Sequence, residues 1–210
     1  MDTANTGQPA SQTGVFRPRT SVLLAGFLWV LAAVAAASTL ASGLAGLRGI
    51  PFALGLAFLG YWLFWFPTVV VAPDAVVLRN PLRTISIPWD ALINVDTKYA
   101  LTLATVKGSF TAWAAPAPGV LGTYRAKPAD ARGLPYSSYG AGGAMRPGDL
   151  KNSDSGAAAY LVRTRWAALA EAGTLNVEAT ETATASVRCN WALVGAAVVL
   201  AVAVAASFSV

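Results

Sequence analysis

The sequence has no histidine and only one cysteine, Cys189. A structural zinc site needs a full set of Cys and His ligands, and an intramolecular disulfide needs a second cysteine, so both are excluded. The lack of histidine also removes the commonest general base at neutral pH. Cys189 lies beside an apolar segment, where a cysteine usually packs as a small hydrophobic residue. We therefore predict no catalytic residue, no metal site and no cofactor.

Charged residues are also scarce, at 12% of the chain, against about 25% in a typical soluble domain. The deficit comes from three uncharged apolar stretches, residues 21–47, 50–67 and 191–208. A helix rises about 1.5 Å per residue, so about 20 apolar residues cross a hydrocarbon core of about 30 Å. A cleaved signal peptide is the weaker interpretation of the first stretch, because its apolar core is shorter. The sequence therefore predicts three transmembrane helices.

The first two predicted helices are joined only by Arg48 and Gly49, and Pro51 suits a helix start, where no amide donor is needed. So short a joint predicts an antiparallel helical hairpin. Aromatic side chains end the apolar stretches, as in the interfacial belt of membrane proteins. The predicted belt comprises Tyr61, Trp62, Trp65 and Trp191. Such residues also stack on nucleic-acid bases, but here they end uncharged runs, so we predict no nucleic-acid partner.

Basic residues near the predicted helices set the expected orientation, because Lys and Arg are enriched on the cytoplasmic side. Only Arg48 lies in the joint of the hairpin. The other flanking arginines are Arg17, Arg19, Arg79, Arg83 and Arg188. We therefore predict a multi-pass protein of the cell membrane, with a cytoplasmic amino terminus and central domain and an extracytoplasmic carboxyl terminus. The net charge of +5 suits a domain held against an anionic leaflet.

Residues 68–113 carry the alternation of short antiparallel strands. One predicted face holds Arg83, Ile85, Ile87 and Trp89, and the opposite face holds Thr84 and Ser86. Turn signals at Ala72–Asp74, Asn80–Pro81 and Lys107–Gly108 divide the segment into about five or six strands. We interpret Trp89 as a core residue beneath a helix, and a ligand groove is the alternative. Such a run of strands predicts a curled sheet or small barrel.

The remainder of the central domain shows one helical pattern. Residues 114–156 are rich in Pro, Gly, Ser and Ala and predict a long disordered loop. Residues 155–172 predict a helix that is capped by Ser155, with Arg163 and Arg165 outside its apolar face. Residues 174–188 are a linker or one further strand. The predicted units are a disordered tail at 1–20, a transmembrane hairpin at 21–67, a domain at 68–188 and a last transmembrane helix at 189–210.

Residues 69–93, which read VVVAPDAVVLRNPLRTISIPWDALI, carry a family resemblance. They resemble the bacterial pleckstrin-homology (PH) domains of actinobacterial membrane proteins. They are most similar to the family named for the mycobacterial low-molecular-weight protein antigen 6, whose pattern includes the element Ile87-Pro88-Trp89. The resemblance covers roughly residues 20–113, and the later Phe110–Ala114 fits it. It implies a bent antiparallel sheet closed by a helix. The expected fold is thus three transmembrane α-helices with a PH-like α+β domain.

Candidate contact residues are basic. The positions considered are Arg79 and Arg83 beside the Asn80–Pro81 turn, and Arg163 and Arg165 on the predicted helix. Each could bind a lipid phosphate or a partner, or could be a solvated surface charge. The carboxylates Asp74, Asp90 and Asp96 form no recognisable catalytic motif, and we assign them to surface and turn positions, with Asp90 a candidate turn cap.

Two functions remain open from the sequence. The first is a non-catalytic, membrane-anchored interaction or scaffold module of the bacterial cell envelope, with a membrane or envelope protein as its partner. The second is a PH-like domain that binds anionic lipid headgroups at the inner leaflet. An enzyme or transporter is disfavoured, because none of the three apolar stretches holds a charge, and intramembrane charges usually mark substrate or ion pathways.

Overall fold

The structure, a computed structural model, describes residues 13–118, 147–150, 152–176 and 178–209. Within these ranges the helices are α1 (Arg19–Ala41), α2 (Ile50–Leu59), α3 (Asp154–Glu171) and α4 (Trp191–Phe208). The strands are β1 (Gly14–Phe16), β2 (Thr68–Val71), β3 (Ala75–Arg79), β4 (Arg83–Pro88), β5 (Asn94–Asp96), β6 (Ala100–Thr105), β7 (Gly108–Pro116) and β8 (Ser186–Cys189).

The described strands form two antiparallel sheets. One has five strands in the order β1-β2-β3-β4-β8, and the other has three in the order β5-β6-β7. In the five-stranded sheet Val69 pairs with Leu78, and Leu78 pairs with Ile85. All three side chains are fully buried, because cross-strand partners share a face and this face points into the core. The predicted alternation is confirmed in β4 and β6, whereas all four residues of β2 are buried, and Ile93 and Tyr99 are exposed.

The hydrophobic core joins both sheets and α3. It draws on Val76 and Ile87 from one sheet, Leu101 and Leu103 from the other, and Val162 from α3. Trp89 is 4% exposed, and its indole Nε1 donates to the Ala72 carbonyl at 3.1 Å. Its predicted core position is confirmed. A buried indole of this size anchors the core and satisfies its one donor locally.

Three described helical segments are long and apolar enough to cross a membrane: Arg19–Ala41, Gly46–Trp65 and Trp191–Phe208. The first ends before the predicted Leu47, because Gly43 takes a positive φ of 61° and a 3-10 helix follows over Gly43–Gly49. A left-handed residue of this kind usually ends a helix, and glycine adopts it without strain. The second continues from α2 through a π-helical turn, Gly60–Trp65.

At both flanks of the domain the structure has a strand that the sequence did not clearly predict. The end of the predicted disordered tail instead forms β1, which pairs with β2 through Phe16 and Val69. The further strand left open for residues 174–188 exists as β8 and pairs with β4. The five-stranded sheet is therefore completed on both sides by strands that lead directly into apolar helices.

The start of α3 is also corrected. Ser153, not Ser155, is the N-cap, and its Oγ accepts a hydrogen bond from the Gly156 amide at 3.0 Å. Ser155 is fully buried and donates to the Gly148 carbonyl at 2.8 Å. Of the loop predicted at 114–156, the first residues belong to β7 and residues 147–150 pack beside α3. Residues 119–146 of that loop lie outside the described residues.

Candidate functional site at the junction of helices and sheets

Arg163 is buried, so its expected position outside the apolar face of the helix is wrong. Its Nη1 forms a 2.6 Å ion pair with Asp149 Oδ1, and its Nη2 donates to the Val95 carbonyl at 2.7 Å. Thr97 Oγ1 donates to the same Asp149 oxygen at 2.8 Å. A buried guanidinium is tolerated when a carboxylate and further acceptors surround it. Arg163 therefore clamps the 147–150 segment to β5, and it is not a surface contact.

Arg165 and Asp90 hold parts of the domain together. Arg165 is partly exposed, and its Nη2 donates to the Pro73 carbonyl at 3.4 Å. Asp90 does not cap its own turn in the expected way. Its Oδ1 accepts from the amide of Asn176 at 2.8 Å, which fastens the segment after α3 to the turn after β4.

Arg79 and Arg83 flank the same turn but occupy different places. Arg79 pairs with Thr84 and lies on the outer face of the five-stranded sheet. Arg83 begins β4 and lines a groove beyond the end of the core. Both side chains are exposed, and neither forms an ion pair within the described ranges. The turn therefore carries two accessible cations, of which one faces a cavity.

We call that cavity, of about 460 Å³, the junction groove. It is lined by Trp62, Leu63, Asn80, Pro81, Leu82, Arg83, Thr111 and Trp113. Trp62 Nε1 donates to the Pro81 carbonyl at 2.9 Å, and Trp113 Nε1 donates to the Leu63 carbonyl at 3.0 Å. Leu63 lies in the last helical turn, where carbonyls lack intrahelical partners. These two bonds fix the end of the second apolar helix to the β-domain from both sides.

Asn80 provides a second link, which sequence reasoning missed. Its side-chain amide donates to the Thr111 carbonyl at 2.9 Å and accepts from the Trp113 amide at 2.8 Å. The side chain thus satisfies two backbone groups on the outer edge of β7. The Asn-Pro dipeptide indicated a turn, but nothing local indicated that the turn would meet a strand about 30 residues further on.

The predicted interfacial aromatics divide into packed and exposed members. Trp65 lies between Arg17, whose guanidinium is 4.3 Å from the ring centroid, and Trp29, at 5.3 Å between centroids. Trp62 is held in the junction groove. Tyr61 and Trp191 are 40% and 75% exposed. The packed indoles join helices to each other and to the sheet, and the exposed rings are available to the surroundings.

A second cavity, of about 600 Å³, lies between α2 and α4, and we call it the apolar cleft. It is lined by Gly55, Phe58, Leu59, Trp62, Ala197, Val198, Leu200, Ala201, Val204 and Ala205. Trp62 also lines the junction groove. The two cavities therefore meet at one indole, where the helices join the β-domain.

Asp154 in the first turn of α3 connects the domain to α1. Thr20 Oγ1 donates to its Oδ2 at 3.3 Å. Partial burial raises the pKa of the Asp154 carboxyl above its ordinary value of 3.8, and the hydrogen bond from Thr20 opposes that rise. The charged form is disfavoured because water is removed from it without a full set of replacement donors.

Two sheets closed by a helix, with the core between them, define a PH-like domain. In agreement, a family model described as a bacterial PH domain matches residues 66–147. The matched range begins just before β2 and takes in every strand through β7. The narrower antigen 6 family stays a prediction. Neither the curated proteins nor the solved structures contain a match to the chain. Among the described residues, no cluster of His, Cys, Asp or Glu is suited to hold a metal ion.

Proposed function

We propose that the protein is a membrane-anchored PH-like interaction module, without catalytic activity, that binds an extended segment of another membrane or cell-envelope protein along the edge of β7. The observation that carries this proposal is the open edge of that strand. At nine residues β7 is the longest described strand, and β6 is its only strand neighbour in the described sheets. An unpaired edge offers backbone donors and acceptors to another chain.

The anchoring is supported by where the apolar helices leave the five-stranded sheet. β1 leads into α1, the second apolar helix leads into β2, and β8 leads into α4. β1 is antiparallel to β2, and β8 is antiparallel to β4. The end of β1 therefore lies beside the start of β2, and the end of β8 lies beside the start of β4, so all three connections emerge at one end of the sheet. That end also carries Arg17, Arg19, Arg83 and Arg188, whereas Arg48 lies in the connection at the far end of the hairpin. This asymmetry supports a cytoplasmic domain and amino terminus and an extracytoplasmic carboxyl terminus.

The backbone of β7 supports the binding mode. Thr105 pairs with Gly108, and Leu103 pairs with Phe110. In an antiparallel ladder, alternate residues direct their backbone groups to the partner strand, so those of Ser109 and Thr111 point outward. Asn80 occupies two groups of this edge, the carbonyl of Thr111 and the amide of Trp113, so the open part is the half of β7 that contains Ser109. The side chains of Ser109 and Thr111 are exposed and small, which leaves room for an added strand.

The test removes one outward donor. Ser109→Pro deletes the outward amide without touching the bonds between β6 and β7, since proline is tolerated on a free strand edge. The full-length protein would be expressed in cells with a photoreactive amino acid in place of Lys107. After crosslinking by light, the membranes would be solubilised and the crosslinked proteins identified by mass spectrometry. We expect a specific crosslinked protein with the native chain and with Ser109→Ala, and its loss with Ser109→Pro. Equal recovery from both variants would refute binding along β7.

A further inference from the structure

We infer that the apolar cleft and the junction groove together form one binding site for an anionic phospholipid of the surrounding membrane. The acyl chain would lie between α2 and α4, and the phosphate would lie beside Arg83. This inference rests on the membrane anchoring proposed above. Trp62 lines both cavities, so the apolar lining and the polar lining lie next to each other at that side chain.

The lining of the cleft fits a hydrocarbon chain. Every residue that lines it is apolar, and Gly55 and three alanines leave the space open. A cavity of about 600 Å³ falls in the range of about 300–1,000 Å³ that is usual for small-molecule sites. An 18-residue α-helix is about 27 Å long and about 10–12 Å wide, so its volume is several times that of the cleft. A narrow chain therefore suits the cleft better than a further helix.

The junction groove provides the polar end of the site. Arg83 is exposed there and forms no ion pair with a described residue. Of the described residues that line the two cavities, none is acidic. Guanidinium binds phosphate oxygens through paired charge-assisted hydrogen bonds. The indoles of Trp62 and Trp113 line the same groove, and tryptophan favours the headgroup level of a bilayer. A groove with a cation and two indoles, next to an apolar cleft, matches the division of a phospholipid into headgroup and chain.

The chain offers a matched pair of arginine variants. Arg83→Gln removes the cation that lines the groove, and Arg79→Gln removes its neighbour on the outer face of the sheet. Purified full-length protein would be titrated in detergent with phosphatidylglycerol and with phosphatidylcholine of the same acyl chains, and bound lipid would be counted by native mass spectrometry. We expect phosphatidylglycerol affinity to fall about tenfold or more in Arg83→Gln and to stay unchanged in Arg79→Gln. Equal losses in the two variants would overturn the headgroup assignment.

A second pair of variants tests the cleft. Ala201→Phe fills it, whereas Val199→Phe changes a residue of the same helix that is 68% exposed and does not line it. Ala201→Phe should lower the binding of both lipids, and Val199→Phe should not. If Ala201→Phe instead leaves lipid binding unchanged and converts a dimer to a monomer, the cleft holds a second copy and the inference fails. Alkaline extraction of the membranes separates the two proposals: release of the native chain would refute anchoring, whereas retention without lipid discrimination would refute only this site.

Discussion

Arg163 and Asp149 form an ion pair whose side chains are only 5% and 6% exposed. Removing one member leaves the other as an uncompensated buried charge, which typically costs about 3–5 kcal/mol. We expect Arg163→Met to lower the free energy of unfolding of the full chain by that amount in detergent, measured by chemical denaturation. Arg165→Met, on the same helix but partly exposed, should cost much less. Equal costs would show that the pair is not desolvated in the folded protein.

Asp154 should make stability depend on pH. Because partial burial raises its pKa above 3.8 in the folded state, the folded protein binds this proton more tightly than the unfolded chain does. Stability from this group is then greatest below pH 3.8 and is lost as pH rises through the folded-state pKa. We expect Asp154→Asn to remove that loss. The melting temperature of the variant relative to that of the native protein should therefore rise as the pH goes from acidic to neutral. A constant difference across that range would contradict the raised pKa.

Among the structural elements, the contact between α1 and the π-helical turn depends on one glycine. A Cβ at Gly60 would lie 3.0 Å from Trp29 Nε1 and 3.2 Å from Leu28 Cβ. Gly60→Val should therefore push the helices apart, strain the bond from Trp29 to the Ala57 carbonyl, and cost about 1–3 kcal/mol, as overpacking usually does. Thermal unfolding followed by tryptophan fluorescence would measure it.

The matched control for that change is Gly26→Val on α1. An added Cβ at Gly26 meets no atom within 4 Å. The two variants carry the same substitution in apolar helices, so their difference isolates the effect of the contact. Similar melting temperatures for both variants would mean that α1 and the second apolar helix do not pack as closely as described.

Elements with a regular pattern could be predicted, and short pairings could not. β4 and β6 alternate over six residues each, so their burial follows from the sequence. β1 and β8 have only three and four residues, too few for a period to show, and each is a strand only because β2 or β4 lies beside it. Their existence depends on partners that are far away in the chain.

The candidate site was even less predictable from the sequence than these short strands. Arg83 was identifiable because it is a cation beside a turn. Its different position from Arg79 depends on register and on the approach of Trp113, which a single sequence does not reveal. Arg163 was misplaced for a similar reason: its partner Asp149 lies in a segment with no periodic pattern, so nothing indicated that a carboxylate would meet it in the core.

For the whole molecule, the orientation can be measured with the chain's own cysteine. Cys189 is exposed at the end of the domain where the apolar helices emerge. If the domain is cytoplasmic, an impermeant thiol reagent applied to intact cells should not modify it. Arg48→Cys in a Cys189→Ser background should be modified, because the connection of the hairpin would face outward. The reverse labelling pattern would overturn the proposed orientation.

The two strands that complete the five-stranded sheet also impose an order on biosynthesis. β1 is made before any apolar helix, whereas β8 is made after α3 and immediately before α4. Until β8 leaves the ribosome, the nascent sheet exposes the unpaired backbone of β4, a template for unwanted strand pairing. The last strand and the last apolar helix then arrive together. A chain terminated by a nonsense codon before Ser186 would therefore keep the unpaired edge of β4. Proteases could recognise unfinished copies by this edge.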